Sequence, residues 1–129
     1  MRGFEFGHLA EDLRRTREPL EQACTLPSAC YTDAAIHDLE QRALFGRSWL
    51  AVARADDVPE AGSFVTRDVA GERVLIVRGD DGVLRAFFNV CRHRGSRLVD
   101  EPSGRLRGGG IGCPYHAWRH PLDGSVGQS

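Results

Sequence analysis

Two short cysteine–histidine pairs, Cys91-Arg92-His93 and Cys113-Pro114-Tyr115-His116, constrain this chain more than any other feature. Two thiolates suit one iron and two imidazoles another, so the set fits a [2Fe-2S] cluster whose irons differ chemically. Exchanging two anionic sulfurs for neutral nitrogens removes negative charge from one end, and an electron is then accepted more readily than by an all-cysteine cluster. One residue separates Cys91 from His93 and two separate Cys113 from His116, so each pair must ride on a tight bend. Gly95 follows the first pair and Pro114 lies inside the second. Both residue types help a chain turn so that backbone N–H groups approach the sulfurs.

Two blander readings compete. Structural zinc sites place roughly two to four residues between paired cysteines and about three to five between paired histidines, a pattern that mixed C-x-H and C-x2-H pairs fit poorly. Free cysteine is also a common core residue. Two such pairs in one chain argue against coincidence.

Hydrophobic spacing divides the rest of the chain. Leu9, Leu13, Leu20 and Cys24 recur at helical intervals, but Pro19 interrupts them, so residues 8–24 read as one loose helix or two short ones. A firmer helix begins after Thr32 or Asp33, either of which can cap it, and carries Ile36, Leu39, Ala43 and Leu44 until Gly46 stops it. From Trp49 the pattern becomes β. Residues 49–53, 63–69, 73–78 and 83–89 are rich in β-branched and aromatic residues, with Gly71, Gly79 and Asp81-Gly82 at turns. The hairpin at Asp80-Asp81-Gly82 leads into the first Cys/His bend and gives it a rigid support. Gly108-Gly109-Gly110, between the bends, reads as a flexible loop and not a phosphate cradle, because no Lys-Ser/Thr or helix start follows it.

The segments Asn89-Val90-Cys91-Arg92-His93-Arg94-Gly95 and Cys113-Pro114-Tyr115-His116-Ala117-Trp118, followed by Leu122-Asp123-Gly124, resemble the Rieske domain of ring-hydroxylating oxygenase large subunits. Upstream, Cys30-Tyr31-Thr32-Asp33, Leu39-Glu40 and Phe45-Gly46-Arg47-Ser48-Trp49 resemble the segment that precedes this domain, with a lean toward the branch acting on choline and betaines. The resemblance implies a mainly β fold with N-terminal helices, a Rieske-type antiparallel β-sandwich or barrel with two cluster-binding loops. Residues 1–45 would form a helical lead and residues 46–129 the Rieske domain. Cys91 and Cys113 would hold one iron, His93 and His116 the other. Electrons from a reductase or ferredoxin would pass through the cluster to a mononuclear Fe(II) site, often in a neighbouring subunit of a homo-oligomer, that hydroxylates or demethylates an organic substrate. A free-standing Rieske ferredoxin-like carrier is the alternative; such carriers lack the helical lead.

Against that family pattern the departures are instructive. Ser96 and Tyr115 stand where respiratory Rieske proteins carry an additional pair of disulfide-linked cysteines, and Ala117-Trp118 where they offer a serine hydroxyl to a cluster sulfur. Losing that donor should lower the potential within the Rieske range. The 19 residues between His93 and Cys113 exceed the family's usual spacing. His120, four residues after His116, occupies a slot where relatives show Tyr or Phe, and reads as structural, not as a ligand. Trp118 reads as packing beside the cluster. Arg92, Arg94, Arg97 and Arg119 would form a positive rim for an acidic reductase or ferredoxin, or else pair with acids such as Asp100 and Glu101.

The oxygen-activating iron of such enzymes needs two histidines and a carboxylate in a later domain. Beyond the cluster pairs only His8, His37 and His120 remain, scattered and not in that arrangement, so the sequence is expected to lack the catalytic domain and not to be catalytically complete. It ends 13 residues after His116, and a C-terminally truncated Rieske sheet, from a fragment or a truncated gene product, is expected. His8 and His37 read as surface residues.

Composition excludes other classes. With 41% hydrophobic and 27% charged residues the chain is globular, and a net charge of −1 speaks against a generic nucleic-acid binder. Met1 to Leu13 lacks a secretory pattern and no run reaches membrane-spanning length, so no membrane association and a cytoplasmic setting are expected, which suits thiols reserved for metal. Cys24 and Cys30 read as packed thiols.

Overall fold

The computed structural model describes residues 6–125 of the chain. The chain divides into two compact units between Ser48 and Trp49. The first is helical. Helix α1 (Phe6–Arg14) passes into a 3-10 turn, Arg15–Arg17, and stops because Glu18 is extended (φ −65°, ψ 161°), as a residue before proline prefers. Of the expected helical span 8–24, only the first part is therefore helix. After the short α2 (Ala29–Thr32), helix α3 (Ala34–Ala43) starts at Asp33, whose carboxylate accepts the Ala35 N–H at 2.8 Å. Asp33, not Thr32, is the cap.

The end of α3 differs from expectation. The Leu44 N–H closes the last turn on the Glu40 carbonyl, and Gly46 sits within a following 3-10 turn, Phe45–Arg47, instead of terminating the helix. Ile36 is buried, whereas Leu39 and Leu44 of the apolar stripe stay exposed. His37 is exposed, as expected; the His8 side chain lies outside the described part. Cys24 is exposed and Cys30 half-buried, both as free thiols, so the packed reading fails for Cys24. Among the described residues no helix is long and apolar enough to cross a membrane.

The second unit is antiparallel β. Strands β1 (Ser63–Val69), β2 (Glu72–Arg78), β3 (Leu84–Phe88) and β4 (Ser103–Arg105) form one sheet in the order β3-β2-β1-β4, and β5 (Gly110–Gly112) pairs with β6 (Arg119–Pro121). Ala70 and Gly71 join β1 to β2 with both residues in the left-handed region (φ 50° and 84°), the requirement of a primed two-residue hairpin. At the β2–β3 turn the Asp81 carboxylate accepts the Val83 N–H and both guanidinium nitrogens of Arg85, at 2.9 and 2.7 Å. The Arg85 hydrogen bond, seconded by the Val83 amide, holds the Asp81 carboxyl well below the usual range.

Alternation along β2 sends its side chains to two faces. Leu75 and Val77, with Phe64, Leu98, Val99, Ile111 and Leu122, build the main core, and Cys91 and Cys113 belong to it. Ile76 faces the other way, joining Val58 and Val65 in a smaller cluster. Residues 49–53 do not form the expected strand. Val52 and Ala53 pack on that smaller cluster with no neighbouring strand to pair with, and Trp49 is fully exposed. Arg78 ties the segment that follows, residues 55–58, to the β2–β3 turn by donating to the carbonyls of Val58, Gly82 and Ala55.

The span between the two Cys/His bends is not the loose loop its glycines suggested. It contains β4, which pairs with β1 through Ser63↔Arg105 and Val65↔Ser103, and β5. All three β4 residues are exposed, so the strand carries no hydrophobic alternation to betray it. Gly110 is needed where β5 meets β6, because a Cβ there would lie 3.0 Å from the His120 carbonyl oxygen. Gly110→Ala should separate this strand pair and cost about 1–3 kcal/mol by overpacking. Urea denaturation of the two proteins measures it.

Candidate metal centre

The two bends are built alike. In the first, the Cys91 N–H donates to the Ser96 carbonyl at 2.7 Å and the Gly95 N–H to the Cys91 carbonyl at 2.9 Å. In the second, the Cys113 N–H donates to the Trp118 carbonyl at 2.7 Å and the Ala117 N–H to the Cys113 carbonyl at 3.0 Å. Each cysteine thus closes a loop on the residue five positions later, and each loop has a left-handed residue at the fourth position: Gly95 at φ 69° and Ala117 at φ 57°. Glycine takes that conformation freely; alanine is strained by about 1 kcal/mol.

The first bend is also clamped from outside. Buried Asn89, at the end of β3, donates to the Val99 carbonyl at 2.6 Å and accepts the Val99 N–H at 3.0 Å, while its own N–H donates to the Arg73 carbonyl. Its side chain acts as a surrogate strand partner across the mouth of the loop. Sequence reading noted Asn89 only as part of a motif and missed this role; an amide directly before the first cysteine was the available signal.

The four paired side chains sort by burial. Cys91 and Cys113 are 2% and 5% exposed and share the core, whereas His93 and His116 are exposed with ring centroids 5.0 Å apart. The His93 ring stacks on Trp118 at 4.6 Å and 7°, and Tyr115 lies against His116 at 3.8 Å. Among the described residues no three His, Cys, Asp or Glu side chains converge on one point.

Electrostatics favour thiolate at the second cysteine. Burial pushes the Cys113 thiol up, but the backbone N–H groups of His116 and Tyr115, with the Cys91 and Ser96 side chains, outweigh it and bring the thiol below its ordinary value. Amides aimed at a sulfur, a preference for the anionic form and a neighbouring pair of imidazoles are the donor set that a [2Fe-2S] cluster requires.

Residues 48–129 match the family model described as the Rieske [2Fe-2S] domain. This chain belongs to the Rieske family. It is 44% identical over 104 residues to the carnitine monooxygenase oxygenase subunit of Acinetobacter baumannii, an alignment covering 81% of this chain and 28% of that protein. Among solved structures it is similar to a quaternary ammonium Rieske monooxygenase, with 43% identity, a TM-score of 0.72, and coverage of 79% of this chain and 27% of that one. It is also similar to naphthalene 1,2-dioxygenase from Rhodococcus sp., with 29% identity, a TM-score of 0.81, and coverage of 93% and 26%. The chain therefore spans less than a third of the length of these relatives.

Within the Rieske domain, the remaining sequence expectations resolve residue by residue. Arg97 pairs with Asp100 at 2.7 Å, and Arg119 donates to the Gly108 carbonyl. Arg92 and Arg94 are exposed and make no ion pair among the described residues. In the first loop the Ser96 hydroxyl donates to the Arg97 carbonyl at 3.3 Å, and Ser96 is the least of the groups that hold the Cys113 thiol below its ordinary value. Trp118, half-buried, packs on the main core as well as on His93.

Two substitutions probe the loop supports. Asn89→Ala strands the Val99 amide and carbonyl and should cost about 2–3 kcal/mol, read by chemical denaturation. Ala117→Gly relieves the left-handed strain and should stabilise the folded chain by about 1 kcal/mol by the same measurement.

Proposed function

We propose that this domain relays single electrons within a Rieske oxygenase. Cys91 and Cys113 would hold one iron as buried thiolates, and His93 and His116 would hold the other at the protein surface. A Rieske cluster, when bound, accepts and passes on one electron at a time. The observation that carries the reading is the separation of a buried sulfur pair from an exposed imidazole pair on two matched loops.

In this reading each residue has a defined task. The thiolates place negative charge inside the core, where the Tyr115 and His116 amides offset it. The neutral imidazoles leave the outer end less negative and expose it to a redox partner. The two loops, pinned by backbone hydrogen bonds and by Asn89, limit the movement that accompanies a change of charge. Exposed Arg92 and Arg94 beside the imidazoles suit an acidic reductase or ferredoxin.

The wider setting extends the proposal. The relatives are oxygenase subunits much longer than this chain, which favours the oxygenase reading over a free-standing carrier. The electron would then go to a mononuclear Fe(II) site in the remainder of such a subunit, or in a neighbouring copy, as inter-subunit electron transfer in the quaternary ammonium monooxygenase suggests. A substrate bearing a quaternary ammonium group is the one the similarity to carnitine monooxygenase supports best. We assign residues 1–45 to a helical lead and 46–129 to the electron-transfer domain, and place the protein in the cytoplasm.

Anaerobic reconstitution with iron and sulfide tests the ligand assignment. The chain should take up two iron and two sulfide ions and show the visible absorption and reduced-state EPR spectrum of a Rieske centre. Cys91→Ser and His116→Ala should each abolish both signals. Retention of both in either variant, or uptake of a single zinc ion by the wild type, overturns it.

A further inference from the structure

Strand β3 is an edge of the four-stranded sheet, with β2 on one side and, among the described residues, no strand on the other. Backbone parity decides which of its groups are left over. The Asn89 N–H donates to the Arg73 carbonyl and the Val83 carbonyl accepts the Gly79 N–H, so the odd-numbered residues of this stretch turn their main-chain groups toward β2. Antiparallel pairing alternates, and the N–H and C=O groups of Leu84 and Ala86, together with the Phe88 N–H, therefore point away from the sheet. The Phe88 carbonyl accepts the Val90 N–H at 2.8 Å.

The side chains along this edge are apolar and uncovered. Val83, Leu84, Phe88 and Val90 are 48%, 40%, 62% and 42% exposed. A cleft of about 570 Å³ borders the strand, lined among others by Val74, Ala86, Phe87, Phe88, Val90 and Trp118. Natural sheets blunt such an edge with a proline, a bulge or a charge. Strand β3 holds no proline, and its register with β2 is unbroken from Leu84 to Phe88. Its one charged residue, Arg85, lies on the face opposite Leu84 and Phe88 and is tied to Asp81.

The strand is complementary to itself. A two-fold axis through Arg85 would set its guanidinium against its own copy, and one through Phe87 would carry Leu84 past the end of the facing strand. An axis through Ala86 pairs the whole strand. Ala86 then faces Ala86, Leu84 faces Phe88 on one side of the sheet, and Arg85 faces Phe87 on the other as a cation against an aromatic ring. No like charges meet. The two Ala86 residues exchange N–H···O=C bonds, and each Phe88 N–H finds the carbonyl of the opposite Leu84. An unrelated apolar strand would gain only the main-chain bonds, whereas a second copy also matches side chain for side chain. We propose that two copies of this chain associate edge to edge through β3, antiparallel about Ala86, so that their sheets become continuous. The proposal is independent of the cluster-ligand assignment.

Sedimentation velocity over a concentration series of the reconstituted 129-residue chain should show monomer passing to dimer and to nothing larger. Hydrogen–deuterium exchange read by mass spectrometry should slow in the peptide spanning residues 84–88 as the dimer forms. Ala86→Pro removes the central N–H, which an edge strand tolerates, and should weaken association by about tenfold or more with an unchanged circular dichroism spectrum. Phe88→Lys, at a side chain exposed in the single chain, sets a charge against the second copy's Leu84 and should weaken it likewise. A chain that stays monomeric into the high micromolar range overturns the proposal. Association undiminished in both variants also overturns it, since the contact would then lie on another surface, such as exposed Leu20 or Trp49. Growth beyond the dimer, which a closed two-fold excludes, and dimerisation without slowed exchange at 84–88 do the same. If Ala86→Pro loses its fold, Phe88→Lys decides alone.

Discussion

The amide of each loop cysteine is spent on closing its own loop, and the rest of the site depends on that closure. With Cys91 bonded to Ser96 and Cys113 to Trp118, the backbone folds back over five residues and turns the intervening amides inward. At Cys113 those amides, from Tyr115 and His116, are aimed at the sulfur and outweigh the penalty of burying it. Open the loop and the sulfur becomes an ordinary buried thiol. Metal affinity and loop geometry are in this sense one property, because the groups that favour thiolate are the ones that define the turn.

The sheet's contribution is to bring two such loops face to face. Leu75 and Val77 of the central strand β2, Ile111 of β5 and both loop cysteines share one core, so the packing that stabilises the domain also sets the separation of the two sulfurs. Burial of this kind resists adjustment, since a close-packed interior accommodates small volume changes poorly. The imidazoles, by contrast, stand outside the core, where their positions are set by contacts with Trp118, Tyr115 and each other.

What the sequence revealed followed the strength of local signals. The Cys/His pairs identified the chemistry because their spacing is unusual, and β1, β2 and β3 were visible because Val, Ile and Phe cluster along them between turn residues. Strands β4 and β5 were hidden: Ser103-Gly104-Arg105 is exposed, and Gly110 of β5 is there for close backbone approach, which no propensity scale records. Residues 49–53 misled in the opposite direction, since an apolar run can pack onto a sheet face without joining a sheet. Asn89 was illegible for a further reason. It acts on Val99, ten residues away, which only the completed topology brings within reach.

The unequal exposure of the two ends of the site gives it a polarity. In the proposed assignment, because tunnelling falls off steeply with distance, the exposed histidine side would be the short route to a redox partner and the buried cysteine side would be insulated by packed hydrocarbon. A substitution beside His93 or His116 would then act on a partner's approach as well as on the charge balance of the outer end, while one beside the sulfurs would act mainly through the packed interior.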